Sequence, residues 1–221
     1  MENFDDRHYF YEHAEWIDEH LSDLYTNDEV TVFHEVYSPD IHLDVYYIRS
    51  KKHNFNILLT AGMSTLAMNV PDSIEGHENY RFAELMALVP KDIDFEDVHT
   101  GENPNDWIIS MLKQTARFPH DYETWVGEGH TIQASEDFEP YADDTDFTGA
   151  VLLPSATFDE NFTEIRRDGR LITIHTVFPL YTEELEFKIQ NGYSKFFDLL
   201  IENDAKEAID TTRPSLVQGH S

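Results

Sequence analysis

No cysteine occurs among the 221 residues, so disulfides, thiolate metal sites and a cysteine nucleophile are excluded at once. Basic side chains are scarce: 15 Lys and Arg face 44 Asp and Glu, a formal charge of −29. A field of that sign repels nucleic acid and anionic membranes and draws in basic partners. The same charge also suits plain solubility, or a salt-adapted host whose proteins are acidic throughout. No apolar run approaches the length of a membrane span. The start, MENFDDRHYF, has neither the basic head nor the apolar centre of a secretory signal, which points to a cytoplasmic protein without a membrane role.

What the chain does hold is material for a core. Hydrophobic residues make up 40% of it and aromatics 13%, which argues for an ordered domain and against a disordered acidic chain. The stretch 170–191, RLITIHTVFPLYTEELEFKIQN, is the clearest. Its first half alternates apolar residues on both faces, as a strand covered on both sides does. Pro179 is expected to end that strand, because it cannot donate a ladder hydrogen bond. Thr182 is then placed to cap a helix, with Glu183 and Glu184 favoured in its first turn and Asn191-Gly192 as its stop.

Elsewhere, residues 3–26 predict an amphipathic helix with Phe10, Ala14, Ile17, Leu21 and Leu24 inward. Alternation follows: Val30, Val32, His34 and Val36 on one strand, a turn at Ser38-Pro39-Asp40, then Leu43, Val45 and Tyr47 on the returning strand. A third strand is expected over 54–60 and an acidic loop over 71–79. The segment 80–89, YRFAELMALV, is made of good helix formers yet is short and closed by Pro90, so helix and strand both fit. A second helix should begin at Asn103-Pro104 and end before Pro119, followed by a turn at 127–129 and a short strand over 130–134. Beyond the acidic loop 135–146 come a buried strand over 147–155, a turn at Asp168-Gly169, and a last helix capped by Ser194 with Phe196, Phe197, Leu200 and Ile201 inward. One domain over 1–210 with a mobile tail at 211–221 is the expected organisation.

Four segments, TWVGEGHTI (124–132), FTGAVLLPS (147–155), PLYTEELEFKIQNG (179–192) and FFDLL (196–200), stand in the order in which the Suppressor of Fused-like domain carries them, and the chain closely resembles that family from about residue 29 to 201. The resemblance implies an α/β (α+β) domain with a mixed, largely antiparallel sheet and helices packed on it, and it makes 80–89 a strand. It implies no cofactor and no enzymatic activity. In animals this domain is followed by a second one, and together they clamp a short extended peptide of a zinc-finger transcription factor. The matching groove here draws on Ala116-Arg117-Phe118, with Phe118 as its aromatic, and on His130, whose acidic neighbour is displaced by one place to Glu128. Stand-alone bacterial members look like immunity proteins that neutralise toxins, and this chain resembles those. The implied partner-facing residues are Phe118, Trp125, Glu128 and His130, with acidic loops 72–79 and 135–146 steering a cationic partner, a basic toxin for instance.

Twelve histidines invite a metal reading. No HExxH is present; the best constellation is His42 and Asp44 on one strand face, with His120, His130 or His175 as a distant third ligand, a set able to hold iron(II) in a metal-dependent enzyme. The bland alternative is solvated surface groups, and for His175 a hydrogen-bonded core histidine. Asp121, Glu123 and Glu128 near Trp125 offer a carboxylate pair for acid–base work, or simply an acidic loop. Ser64 and Ser155 lack nucleophile-elbow surroundings, and the glycines of 127–129 are not followed by the Lys-Ser/Thr of a phosphate loop. A third function class, a regulatory scaffold for a host protein, shares the same surface.

Overall fold

A computed structural model describes residues 6–36, 38, 41–95 and 103–217, with side chains from residue 15 onward. The first helix, α1, spans Asp6–Leu24. It buries Trp16, Ile17 and Leu21 against the sheet. The side chains of Phe10 and Ala14 lie outside the described residues.

The strands β1 (Glu29–Phe33) and β2 (Asp44–Arg49) form the expected antiparallel hairpin, with Val32 opposite Tyr46. Pro39 and Asp40 of its expected turn lie outside the described residues. The inward face of β1 differs from the reading, because the strand is a sheet edge and ends early. Phe33 is the buried residue, while Val30 and Val36 are 41% and 98% exposed. On β2 the alternation holds: Val45 and Tyr47 enter one core layer, Tyr46 and Ile48 the other.

Next come β3 (Phe55–Ala61) and β4 (Phe82–Pro90). The helix formers of β4 are overridden by pairing on both edges and burial on both faces. The helix α2 (Asp106–Asp121) continues through Pro119 instead of stopping before it. The ring sits in the last turn, where it forfeits one backbone bond, and it is itself buried. The edge strand β5 (Thr131–Gln133) pairs with β6 (Gly149–Leu153), and a short helix, α3 (Glu160–Thr163), leads into β7 (Glu164–Arg167). No sequence signal had been read for α3 or β7.

Asp168 and Gly169, at φ 48 and 75, turn β7 into β8 (Arg170–Leu180), the left-handed pair that a tight hairpin demands. The strand β8 runs one residue past Pro179. The Pro179 carbonyl accepts from Arg213 Nη2 at 2.9 Å, so that side of the residue faces Arg213 and its missing N–H breaks no bond to β6.

Among the described residues the sheet order is β1-β2-β3-β4-β8-β6-β5, with β7 added on β8. Only β4 and β8 run parallel among its strands; every other pair is antiparallel. Helices α1 and α2 cover opposite faces. Helices α4 (Thr182–Asn191) and α5 (Tyr193–Glu202) cover the β6–β8 end.

The start of α4 corrects the reading. Tyr181 is the capping position, and its N–H donates to Glu184 Oε2 at 3.0 Å. Thr182 is already helical and instead meets Thr148 Oγ1 at 2.9 Å. Ser194 likewise caps nothing, since α5 starts directly after Gly192 at φ 86.

Residues 211–217, expected as mobile, are packed. Arg213 forms a forked ion pair with the fully buried Glu184, at 2.6 and 2.7 Å. Its guanidinium lies within 5.1 Å of the Phe147, Phe178 and Tyr181 ring centres. The Leu216 N–H also donates to Glu184, at 2.8 Å. An acid with two donors of its own and an aromatic niche for its partner is a strong anchor.

Candidate functional site

Among the described residues β5 is an end strand of the sheet, with one edge turned away from β6. Leu152 N–H donates to the His130 carbonyl and Ala134 N–H to the Thr148 carbonyl. Alternation therefore turns the backbone of Ile132 toward β6 and that of Thr131 and Gln133 outward. Gln114 of α2 reaches over that edge, its Nε2 donating to the Ala134 carbonyl at 2.8 Å and, at 3.5 Å, to the Gln133 carbonyl. The Thr131 groups and the Gln133 N–H are therefore what the edge leaves open. A groove of about 460 Å³ runs beside the edge, walled by Phe118 and Tyr122 of α2 and by Leu185 and Ile189 of α4. Tyr122 and Ile189 are 68% and 64% exposed, and Phe118 packs against Tyr122 with the rings tilted by 36° and their centres 4.7 Å apart. Asp121 and Glu136 line the same groove.

Of the four residues expected to face a partner, only Phe118 lines this groove. Trp125 is half-buried and meets the His130 ring at 4.4 Å on one side and Tyr80 at 5.9 Å on the other. Glu128 is exposed and is held by the Tyr193 hydroxyl of α5 at 2.8 Å. Gly129 (φ 79) lets the turn close, since a side chain there would strike the Tyr193 ring at 2.8 Å. Burial, and then the Glu128 carboxylate, push the Tyr193 hydroxyl up.

Burial and then Lys188 push His130 down, and burial brings His175, deep on β8, down to about 4. Both imidazoles are therefore neutral at pH 7. Asp121, Glu123 and Glu128 are all exposed, which leaves no desolvated carboxylate pair for acid–base chemistry.

The metal candidates are spent on each other. Asp44 is buried, and its Oδ1 and Oδ2 meet His42 Nε2 at 3.0 Å and His34 Nδ1 at 2.8 Å. His42 Nδ1 contacts Ser38 Oγ at 2.7 Å. His120 instead contacts the Met63 carbonyl at 3.0 Å. Among the described residues no group of three His, Asp or Glu side chains is arranged to hold a metal ion.

Glu84 was not singled out by sequence. It lies fully buried on β4, and burial raises its carboxyl against the donors around it. Those donors are the Gly62 and Ser64 N–H groups at 3.0 Å and the Ser64 and Thr60 hydroxyls at 2.6 Å. They tie the Gly62–Ser64 turn to the sheet, and His120 at the end of α2 rests on that turn.

The architecture defines an α+β domain with one mixed sheet and an open edge strand between two helices. The chain belongs to the Suppressor of fused protein (SUFU) family, whose model matches residues 39–214. It is similar to the crystal structure of a SUFU homologue from Neisseria gonorrhoeae, at 13% identity and a TM-score of 0.67, covering 93% of this chain and 97% of that one. The crystal structure of a Sufu–Fu complex matches with a TM-score of 0.65 at 12% identity, covering 93% of each chain. Drosophila Suppressor of Fused matches with a TM-score of 0.62 at 12% identity; 93% of this chain spans 51% of that one. Likeness at such identities shows the fold. A comparison with curated proteins gave no match. No described helix is long and apolar enough to cross a membrane.

Proposed function

We propose that this chain is a non-enzymatic, cytoplasmic binding protein of immunity type, which neutralises a basic toxin by pairing one of the toxin's extended segments with the outer edge of β5. The observation that carries this reading is the outward-facing backbone of Thr131 and Gln133 beside the apolar groove of Phe118, Tyr122 and Ile189. Main-chain bonds along such an edge supply affinity, and pockets for alternate side chains supply selectivity. Asp121 and Glu136 in the groove, under a net charge of −29, favour a cationic segment and speed its arrival. In the related fold, the Sufu–Fu complex is itself an assembly of two proteins.

Gln133→Pro tests the reading. It removes an outward N–H while leaving the bonds to β6 intact, because Gln133 turns its backbone away from that strand. Binding of an extended Lys- and Arg-rich peptide, read by isothermal titration, should weaken at least about tenfold, or about 1.4 kcal/mol. It should also weaken steeply as salt is raised. Equal affinity in wild type and variant would remove the β5 edge from consideration. A neutral peptide bound as well as the cationic one would favour a host-protein scaffold over a toxin antagonist.

A further inference from the structure

Helix α5 is apolar on two sides. Phe196, Leu199 and Leu200 are buried in the core beside β6 and β8. A second row points outward: Phe197 and Ile201 are 37% and 64% exposed, and Tyr193 precedes them at the same four-residue spacing. Ile189, near the end of α4 and 64% exposed, is a further exposed apolar side chain just before the Gly192 break. The rings of the half-buried Tyr193 and of Phe197 lie 5.9 Å apart, so these two side chains adjoin and the exposed apolar groups of α5 form a ridge.

Acidic groups border this ridge. Tyr193 holds Glu128 beside it through the 2.8 Å hydrogen bond. Glu186 lies three residues before Ile189 on the exposed side of α4 and Asp198 is exposed on α5, while Lys188 and Lys195 stand on the same two helices.

We infer that the ridge Ile189–Tyr193–Phe197–Ile201 is a second docking surface, and that its occupant is a basic amphipathic helix of the partner protein. The inference rests on the proposed function, since Ile189 belongs to both the β5 groove and the ridge. A helix suits the ridge because α5 offers no free backbone edge, while rows at four-residue spacing interlock with the grooves of another helix. The partner is basic because Glu128, Glu186 and Asp198 outnumber Lys188 and Lys195 around the apolar row, and the whole chain carries −29. A second copy of this chain would instead bring another −29 charges against the first.

The test uses a fluorescein-labelled amphipathic helical peptide of Leu and Lys, with a scrambled peptide of the same composition as control, read by anisotropy. Wild-type protein should bind the helical peptide at least tenfold more tightly than the scrambled one. Phe197→Ser/Ile201→Ser, which changes no charge and is checked for folding by circular dichroism, should abolish that difference. Gln133→Pro should leave it unchanged. Equal binding of the two peptides, or an unaltered preference in the double variant, would overturn the inference while leaving the β5 groove standing. If Gln133→Pro fails to weaken the extended peptide but the helical preference is lost in the double variant, the groove reading falls and the ridge remains. A concentration-dependent dimer in sedimentation, absent in the double variant, would assign the ridge to a second copy and also overturn the inference.

Discussion

Glu84 and Glu184 are both completely buried, yet the fold treats them in opposite ways. Glu184 faces a guanidinium, so its charge is balanced inside the protein by Arg213 at 2.6 and 2.7 Å. Glu84 has no cation within its bonding sphere and is surrounded by hydroxyls and amides from 60–64. The first arrangement is an ion pair that closes a strap over α4. The second is a neutral-donor cradle that holds a turn against the sheet. A buried acid whose charge is balanced by a single cation is brittle toward loss of that cation, even with the Tyr181 and Leu216 N–H groups beside it. One held by several neutral donors is tolerant.

The largest effect that tests this contrast comes from Arg213→Ala. It leaves the Glu184 charge buried and unpaired, and should cost about 4 kcal/mol in urea unfolding. Adding Glu184→Gln should restore much of that loss; no restoration would mean that the aromatic niche, and not the charge, sets the cost.

Next comes His175. Its folded-state value of about 4 lies below the ordinary value of 6.5, so the unfolded chain binds the proton more readily. Stability from this group is therefore full above pH 6.5 and falls as pH drops toward 4, by about 3 kcal/mol over that window. His175→Gln should flatten that part of the pH profile in denaturant melts, and an identical slope in the variant would contradict it.

Glu84→Gln should cost only about 1 kcal/mol at pH 7, because the Thr60 hydroxyl can rotate to accept from the new amide. A loss as large as that of Arg213→Ala would erase the distinction between the two acids. The smallest effect belongs to Thr182→Ala. Sequence alone predicts about 1 kcal/mol from a lost cap. With Tyr181 in the capping position and Thr182 meeting only Thr148, thermal melts should show about half of that.

These cases mark where the sequence was readable. Alternation in 43–47, the Asp168-Gly169 turn and the buried run 149–153 were legible because each depends on neighbours along the chain. The strand character of 82–90 was visible only through the family resemblance, since its parallel partner β8 lies far along the sequence. The cap of α4 was misplaced by one residue because Thr182 has the right chemistry, while the backbone bends at Tyr181.

At the site, Phe118 and the Trp125–His130 turn were marked by resemblance, and the structure places Trp125 against His130. Tyr122, Ile189 and Tyr193 carried no motif. Ile189, an apolar residue on the polar side of α4, was the signal available for them. Phe197 and Ile201, expected inward, are instead 37% and 64% exposed because Phe196, Leu199 and Leu200 take the core side of α5. His42 and Asp44 do meet, but His34 and Ser38 occupy the atoms that a metal would need.

The parallel contact between β4 and β8 bears on how the chain is made. Phe82 must wait for Ile172, so β4 leaves the ribosome with one flank uncovered, whereas β2 and β3 find both their partners among neighbouring strands. Nascent β4 is thus at risk of pairing with neighbouring chains until β8 is synthesised. The abundance of carboxylates along the early loops, mutually repulsive between nascent copies, would act as a built-in chaperone during that interval.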